Sequence, residues 1–315
     1  MIKLNKKASR LKRERNRLIF YILGCSLPIL QFCVLYLGVR INTITLAFKN
    51  YELTSDGTYK FVLAGFSNFV DIFKNFSDPQ QYLWSAVGNS FLAFLFGIIG
   101  IALALLFSYY IMKKYRGSKF FQVVLFLPSI ISGVVLISIF RYFMENCVPG
   151  VLDYVGIPNK PLNFNYGEPD QIFLSILCYG VFIGFGTNVM LFTGAMTGIS
   201  DSIFDASKID GAGPLREFVS IILPMIYGTI STLLVVLIAG IFTNEASLYA
   251  LYAEAIPYAE TRTIGYYLFT LTRTAGLDTT QYPYIAAFGL LISAVTIPLT
   301  ILVRTGLKRF GPSIE

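Results

Sequence analysis

The chain has 315 residues, of which 55 % are hydrophobic and only 14 % are charged. Soluble domains contain about 25 % charged residues, so this composition excludes an ordinary water-soluble fold. The formal net charge of +7 is assigned to membrane topology and attraction to anionic headgroups rather than to nucleic-acid binding. The sequence contains no histidine, which excludes imidazole metal ligands and histidine-based catalytic triads.

Long apolar segments predict a polytopic, all-α membrane protein with one membrane domain. A helix needs about 20 apolar residues to cross hydrocarbon about 30 Å thick. The membrane domain of the protein is predicted at 18–310, after a basic N-terminal segment at 1–17. The first apolar segment exceeds the roughly 7–15 residues of a signal-peptide core and has no small-residue cleavage site after it, so we expect it to remain as a span. Six segments qualify as spans: 18–40, 84–112, 120–143, 171–197, 225–249 and 282–304.

The distribution of basic residues predicts the orientation. The N-terminal segment, the 113–119 and 198–224 loops and the C-terminus lie on one side and carry 17 of the 25 lysines and arginines. Cytoplasmic loops are enriched in these residues. We therefore expect both termini on the cytoplasmic side of a prokaryotic cell membrane.

Motifs that would indicate catalysis or a disulfide framework are missing. Cys25, Cys33 and Cys178 lie within predicted spans, and Cys147 lies in an outer loop, so no disulfide framework is implied. No GxxxxGK[ST] string occurs in the sequence, so any ATP is expected on another chain. We predict no catalytic residues and no metal site.

Small residues recur at helical spacing in the fourth span. Gly180 and Gly184 form one pair, and Gly194 and Gly198 form a second. Each pair places two glycines on one helix face, where a neighbouring helix can approach closely. Helix packing is the expected role, and a substrate path lined by exposed backbone is the alternative.

Asn244 and Glu245 are unusual because they lie in the outer half of the predicted fifth span. A carboxylate and an amide are costly in hydrocarbon unless they face a cavity or a partner. They are candidate site residues. The alternative is an interfacial pair that reaches water because the span ends earlier.

Between the fourth and fifth spans lies a polar segment at 201–224, referred to below as the elbow. Ser202 is predicted to cap a short helix that starts near Ile203. Gly211 and Gly213 permit the left-handed backbone that ends a helix, and Pro214 suits the first position of the next helix. The sequence therefore predicts a helix, a tight turn and a second helix.

The second helix is predicted to carry the apolar residues Phe218, Ile221 and Ile222 and to be broken by Pro224 at the entry to the fifth span. This density of cap, glycine and proline signals exceeds what a simple connection needs. We therefore expect an ordered elbow on the cytoplasmic surface.

The string "DASKIDGAGPLREFVSIILP" resembles the EAA signature of binding-protein-dependent ABC importer permeases. The residues that match this signature fall in three parts: the EAA triplet, the DGA that follows it, and the F and LP of the tail. Two residues depart from the usual pattern, since Asp205 stands for a glutamate and Ser207 for an alanine. The resemblance implies coupling to an ATPase through Asp205, Ala206, Ser207, Asp210, Gly211, Ala212 and Phe218.

Other strings narrow the resemblance to the carbohydrate branch, similar to the maltose and glycerol-phosphate permeases. These are "LAFKNY" with "GFSNFVDIF", "GNSFLAFLFGIIGIALALLFSYYI", and "LPSIISGVVLISIFRYFM" with "PGVLDYVGI". Val39 departs from relatives that often have a proline in the first span. The resemblance covers almost the whole chain and implies a six-helix permease bundle with a cytoplasmic coupling helix.

As a member of this branch, the chain would be a non-catalytic permease subunit that imports a sugar or oligosaccharide. The resemblance implies a second, similar permease, two ATPase subunits that bind ATP and Mg²⁺, and an extracellular sugar-binding protein. The chain itself would hold no cofactor. Contacts with the sugar would come from Phe182, Ile183, Gly184, Asn244 and Glu245.

Two other classes of function are considered. A secondary transporter coupled to ions or protons predicts ionisable groups at the bilayer midplane and often internal repeats, which the sequence does not indicate. An intramembrane enzyme would need a nucleophile, base or metal constellation, which the missing histidines and isolated cysteines disfavour.

Overall fold

A computed structural model describes residues 2–53, 59–156, 163–253, 256, 258–276 and 279–312. Most of this chain is helical, and two short strands form a hairpin. The helices are α1 (Ile2–Gln31), α2 (Val39–Leu46), α3 (Ser67–Ser77), α4 (Leu83–Met112), α5 (Ser118–Phe126), α6 (Gly133–Tyr142), α7 (Val148–Val155), α8 (Pro169–Thr197), α9 (Asp201–Ile209), α10 (Pro214–Glu217), α11 (Leu223–Met225), α12 (Tyr227–Ala239), α13 (Leu248–Tyr252), α14 (Ile264–Thr274) and α15 (Tyr282–Phe310).

Tighter and wider helical turns connect several of these helices. Three short π-helical segments continue neighbouring α-helices without a break in direction at Phe32–Gly38, Phe143–Cys147 and Phe218–Ile222. In the part of the chain that the structure describes, 3₁₀ turns occur at Pro79–Gln81, Leu127–Ser129, Ala259–Thr261 and Thr279–Gln281.

The helices are long and apolar enough for a multi-pass membrane protein. Within the described residues, five segments meet the length and hydropathy of a span, and a pair bent by 70° at Ile226 makes a sixth if it is counted as one. The six-helix prediction of an all-α permease bundle fits this arrangement. The five are Arg13–Leu46, Pro79–Met112, Gly133–Val155, Pro169–Thr197 and Thr279–Arg309.

The third predicted span, 120–143, is not one continuous helix. Helix α5 ends at Phe126, a 3₁₀ turn follows, and α6 begins only at Gly133. Pro128 lies in the turn and has no N–H to donate, while Ser132 is extended, with φ −55° and ψ 133°. The segment that is long and apolar enough to span instead runs over Gly133–Val155.

The fifth predicted span, 225–249, is not one continuous helix either. The helix bends at Ile226, continues as α12 and ends at Ala239. Residues 240–247 are not helical, and α13 resumes the helix at Leu248. This non-helical segment, called the break below, contains Asn244 and Glu245.

Two compact units divide the chain. The first comprises Met1–Val70 and Thr279–Leu290. Its strands β1 (Lys49–Leu53) and β2 (Tyr59–Leu63) pair antiparallel, with Tyr51 opposite Phe61. The side-chain amide of Asn68 donates to the carbonyls of Ala47 and Lys49 at 2.9 Å each. No pattern in the sequence was interpreted as this hairpin.

The second unit comprises Asp71–Asp278 and Leu291–Glu315. Helices α4 and α8 pack along each other and form its centre. Ser108 on α4 donates hydrogen bonds to the carbonyl of Ala104 at 2.6 Å and to that of Val189 on α8 at 3.0 Å. A buried cluster around this contact includes Ala104, Ile111, Val189, Phe192, Met196, Phe218 and Ile222.

Candidate functional site

A cavity of about 360 Å³ lies among the middle turns of α4 and α8, α12 and the break. Its volume falls within the range of small-molecule pockets, about 300–1,000 Å³. Its lining has no charged side chain among the described residues, and it combines glycine backbone, apolar side chains, amides and a hydroxyl. Polar and glycine members of the lining are Gly97, Gly100, Gly180, Gly184, Asn188, Asn244 and Ser247.

The break contributes irregular backbone to this cavity. Ala246 and Ser247 both have positive φ, of 53° and 60°, a conformation that costs energy for residues with a Cβ. The Asn244 side-chain oxygen accepts a hydrogen bond from the Ala246 N–H at 2.9 Å. Irregular backbone is tolerated at membrane depth only where protein buries it or where it lines a cavity, and the break meets that condition.

Helix α14 holds the break in place. The Thr263 hydroxyl donates to the carbonyl of Asn244 at 2.9 Å and also accepts from the N–H of Tyr266 at 3.1 Å. Gly265 is buried, and a Cβ there would lie 2.5 Å from the Asn244 oxygen. Only glycine therefore allows α14 to approach the break this closely.

Helix α4 fixes the start of α14 in turn. The Asn89 amide donates to the carbonyls of Glu260 at 2.7 Å and Arg262 at 3.0 Å. The buried Ser90 hydroxyl accepts the N–H of Ile264 at 3.0 Å. The break is thus held by a chain of hydrogen bonds that connects α4, α14 and Asn244.

Asn188 is a cavity residue that the sequence analysis missed. It is half-buried on α8, one turn after Gly184, and its amide forms no hydrogen bond within the described part of the chain. The amide nitrogen lies 3.9 Å from the position of a Cβ on Gly184. An uncharged amide in the middle of an apolar span, four residues from a glycine, was the signal that could have identified it.

The structure divides the five predicted sugar-contact residues into two groups. Ile183, Gly184 and Asn244 line the cavity. Phe182 is 50 % exposed and is not part of the lining. Glu245 is also outside the lining, and its Oε2 is buried without a hydrogen-bond partner in the described chain.

The expectation that the paired glycines pack against a helix is wrong for the described chain. A Cβ at Gly180 or Gly194 would meet no side chain or neighbouring helix within 4 Å, and Gly184 would meet only the Asn188 amide. The glycine that allows close packing is Gly186, where a Cβ would lie 1.8 Å from the Leu125 carbonyl. The open glycines instead leave α8 backbone exposed to cavities.

The elbow is a helix, a tight turn and a short second helix. Ser200, not Ser202, is the N-cap of α9, and the two hydroxyls lie 2.8 Å apart. Ser200 precedes the first helical residue and already has extended backbone, which the cap position requires. Gly211 has a positive φ of 68°, whereas Gly213 has φ −70°.

Pro224 does not break the second helix of the elbow. Helical structure continues from α10 through the π-helical Phe218–Ile222 and α11, and the bend follows at Ile226. Pro224 is the second residue of α11, and the bend lies at Ile226, after α11 has ended.

A buried ion pair attaches the elbow to the end of α4. Lys113 Nζ lies 2.5 Å from Glu217 Oε1, and the two side chains are 21 % and 5 % exposed. The Lys113 ammonium also lies over the rings of Tyr109 and Phe204, at 5.7 and 5.1 Å. The Tyr109 hydroxyl donates to the Pro214 carbonyl at 3.2 Å. Displacement of α10 therefore requires displacement of α4, or rupture of a buried charge pair.

Comparison with known proteins assigns this chain to a protein family. Residues 97–315 match the family described as "Binding-protein-dependent transport system inner membrane component". The chain belongs to this family.

Two curated relatives and one solved structure are similar to this permease. A probable ABC transporter permease, the MG188 homolog of Mycoplasma pneumoniae, is 29 % identical over 68 % of this chain and 66 % of that protein, just under two thirds of its length. The polygalacturonan/rhamnogalacturonan transport system permease protein YteP of Bacillus subtilis is 26 % identical over 95 % and 93 % of the two chains. A chain of a bacterial ABC transporter involved in alginate import shares the fold, with a TM-score of 0.72, 19 % identity and coverage of 96 % and 99 %.

The permease exposes only part of its predicted coupling set. Ser207 and Phe218 are buried: the Ser207 hydroxyl donates to the Phe204 carbonyl at 2.8 Å, and Phe218 belongs to the core cluster. These two residues fix the elbow rather than present a surface. The exposed members are Asp205, Ala206, Asp210 and Gly211, and Ala212 is intermediate.

Two large apolar side chains on the elbow were not predicted as coupling residues. Ile209 is 87 % exposed and Leu215 is 76 % exposed, on either side of the Gly211 turn. Lys208 pairs with Asp205 at 3.0 Å on the exposed face of α9, and this hydrogen bond raises the pKa of the Lys208 ammonium. The elbow thus presents a mixed apolar and charged surface that suits a protein groove.

Proposed function

We propose that this permease is the membrane subunit of an ATP-driven importer of an uncharged oligosaccharide. The observation that carries the proposal is the break, which places Asn244 and Ser247 against the middle turns of α4 and α8. Discontinuous helices that expose backbone at the midplane are a common construction of transporter binding sites. A saccharide polymer as the substrate is also supported by the named function of YteP, while the absence of charge rests on the cavity lining alone.

The chemistry of the cavity supports a neutral sugar. Hydroxyl groups need amide and backbone partners beside apolar surface, and the lining supplies the Asn188 amide, Ser247 and Gly184. No cation lines the cavity within the described chain, so the carboxylates of a uronic-acid polymer would lack a counter-charge there. Because no ionisable side chain lines it either, a proton relay finds no support in this cavity.

Coupling to ATP hydrolysis is assigned to the elbow. In this proposal the exposed face of α9 and the turn at Gly211 sit in a groove of an ATPase subunit, and the Lys113–Glu217 pair transmits the movement to α4. ATP binding then shifts the permease between inward-open and outward-open states, because ATP prefers one state. The assembly contains a second permease, two ATPase subunits that hold ATP and Mg²⁺, and an extracellular sugar-binding protein.

The test of the sugar path is uptake by the reconstituted complex. Asn188→Ala removes an amide from the cavity, and loss of one hydrogen bond of about 1–3 kcal/mol lowers kcat/KM for uptake by roughly tenfold or more. Thr187→Ala is the matched control, since Thr187 is the next residue, is exposed and does not line the cavity. Basal ATP hydrolysis stays unchanged in both variants.

Two outcomes would contradict the proposal. Wild-type uptake at subsaturating sugar by both Asn188→Ala and Asn244→Ala would exclude the cavity as the path. A preference for oligouronates over neutral oligosaccharides of equal length would exclude the substrate class.

Orientation needs a separate experiment. In the proposed topology the elbow is cytoplasmic and the segment before α8 is extracellular. Cysteine at Tyr166, which is 85 % exposed, reacts with an impermeant thiol reagent applied outside to a cysteine-free background, whereas cysteine at Ile209 does not. The reverse labelling pattern would invert the topology.

A further inference from the structure

A second cavity, of about 660 Å³, lies between the end of α4, the start of α5 and the last turns of α8. It is on a different face of α8 from the sugar path, because Asn188 lines one cavity and Met190 the other. Residues two positions apart in an α-helix, such as Asn188 and Met190, point in directions about 200° apart around the helix axis. The two cavities therefore lie on opposite sides of α8.

Three unneutralised cations surround this cavity. Lys114, Arg116 and Lys119 line it, all three are exposed, and none forms an ion pair with a carboxylate in the described residues. Their neighbour Lys113 differs, since its charge is paired with Glu217. The cavity lining contains no acidic residue among the described residues, so it carries a local excess of positive charge.

The backbone reinforces the positive potential. Helix α5 begins at Ser118, and the N–H groups of Lys119 and Phe120 have no acceptor in the described part of the chain. The N-terminus of a helix favours an anion because its free N–H groups and its dipole point outward. Lys114 has a positive φ of 55°, so the turn that presents these cations is held in a costly conformation.

A buried hydroxyl in the same lining also lacks a partner. Thr193 is 8 % exposed, and its Oγ1 is buried without a hydrogen-bond partner in the described chain. A helical threonine normally donates to a carbonyl three or four residues before it, but the Val189 carbonyl already accepts from Ser108. Because helical threonine occupies two χ1 rotamers, this hydroxyl can turn to donate to a ligand in the cavity.

The position of the cavity indicates where its anion comes from. The cations follow directly after Met112, the last residue of a membrane-spanning segment. Helix α5 continues with exposed apolar side chains, with Phe120 and Val123 each 67 % exposed, as expected for a surface in contact with acyl chains. A phosphate bound between them therefore lies at the level of lipid headgroups, where basic pockets bind anionic lipids.

We propose that this cavity binds the phosphate of an anionic lipid headgroup, such as phosphatidylglycerol. Lys114, Arg116 and Lys119 neutralise the phosphodiester, and the free N–H groups of α5 and the Thr193 hydroxyl donate to its oxygens. The cavity connects the end of α4 with α8, so an occupied site ties together the two central helices near the Lys113–Glu217 pair. The proposal is independent of the transported substrate.

The test is lipid binding by the purified full-length chain in detergent, measured by native mass spectrometry during titration with phosphatidylglycerol or phosphatidylcholine. Wild type retains phosphatidylglycerol in preference to phosphatidylcholine. The triple variant Lys114→Gln, Arg116→Gln and Lys119→Gln binds phosphatidylglycerol roughly a hundredfold more weakly, at about fivefold for each basic residue. Size-exclusion profiles and melting temperatures without lipid establish that the variants fold.

The matched control neutralises three cations at the end of another span, with Arg304→Gln, Lys308→Gln and Arg309→Gln. Arg304 and Lys308 line a separate cavity of about 570 Å³, where the Thr232 hydroxyl already donates to the Gly228 carbonyl. Affinity for phosphatidylglycerol in this variant stays within about fivefold of wild type. An equal loss in both triple variants would mean diffuse attraction and would overturn the site.

Two further measurements test the chemistry. Thr193→Val keeps every charge and nearly the same volume, and it weakens phosphatidylglycerol binding by about tenfold, since a bond to a charged acceptor is lost. Unchanged affinity in this variant would overturn the assigned geometry. Inorganic phosphate that binds without lipid and displaces phosphatidylglycerol at millimolar concentration would assign the cavity to a soluble phosphate and overturn the lipid source.

Discussion

The elbow and the break both interrupt apolar helices, yet they are held by different forces. The elbow is anchored by charge, because Glu217 is almost completely buried against Lys113. The break has no ion pair in its described residues, and it is anchored by backbone contacts, chiefly those of Thr263 and Gly265 with Asn244.

This difference matches the roles proposed for the two regions. A lever must transmit force without changing its own shape, and a buried ion pair resists separation because either charge alone is costly to bury. A sugar path must offer backbone and amide groups to a neutral ligand, and an ion pair there would introduce charge. Backbone hydrogen bonds and a glycine contact hold the break while leaving its cavity uncharged.

The largest expected effect comes from breaking the charge anchor. Glu217→Gln leaves the Lys113 ammonium half-buried without its carboxylate, and we expect the free energy of unfolding to fall by about 3 kcal/mol. Uptake falls further than basal ATP hydrolysis, because the elbow no longer moves with α4. Thermal denaturation in detergent and both rates in the reconstituted complex measure these effects.

Asp205→Asn is the matched control for that variant. It makes the same chemical change in the Lys208–Asp205 pair, whose side chains are 67 % and 68 % exposed. Solvent-exposed pairs contribute little to stability, so the melting temperature stays within error of wild type. Equal destabilisation by the two variants would refute the charge anchor.

A smaller effect is expected at the break. Gly265→Ala places a Cβ 2.5 Å from the Asn244 oxygen, and the forced shift of α14 costs about 1–3 kcal/mol. Sugar uptake falls while basal ATP hydrolysis persists, because the shifted α14 no longer holds the break against the cavity. Gly24→Ala, where no atom lies within 4 Å of the new Cβ, serves as the control and remains at least as stable as wild type. A melting temperature for Gly265→Ala equal to that of the control would mean that the close approach is not needed.

The smallest expected effect on stability is at the turn of the elbow. Gly211 has φ +68° with open space around a Cβ, so Gly211→Asp costs about 1 kcal/mol in backbone strain alone. Its effect on coupling is larger, because the new carboxylate enters the proposed ATPase groove. Gly211→Asn tolerates the same backbone and carries no charge, so it separates the two contributions. If the Asp variant couples ATP hydrolysis to uptake normally, Gly211 does not contact the ATPase.

Much of this protein was readable from sequence because the signals are local. An apolar segment of about 20 residues forms an α-helix in a bilayer, because only a helix satisfies its backbone hydrogen bonds within the segment. The class of helical membrane proteins therefore followed from composition. In the elbow, glycine permits a positive φ and proline fixes its own φ, so the turn at Gly211 and the new helix at Pro214 were predicted. The cap was misplaced by two residues because Ser200 and Ser202 offer the same side chain.

Other features were decided only by the tertiary structure, because they depend on contacts between residues far apart in the sequence. The positive φ of Ala246 and Ser247 has no signal in residues of those types, and it persists because Thr263 and Gly265 lie against Asn244. Gly180 and Gly186 are both glycines in the same apolar segment, and the sequence does not distinguish their roles. In the structure Gly180 faces a cavity, whereas a Cβ at Gly186 would collide with the Leu125 carbonyl. The sequence likewise could not show that Lys113 is paired with a carboxylate while Lys114 has no such partner among the described residues. A charge is neutralised only where the fold brings a carboxylate to it.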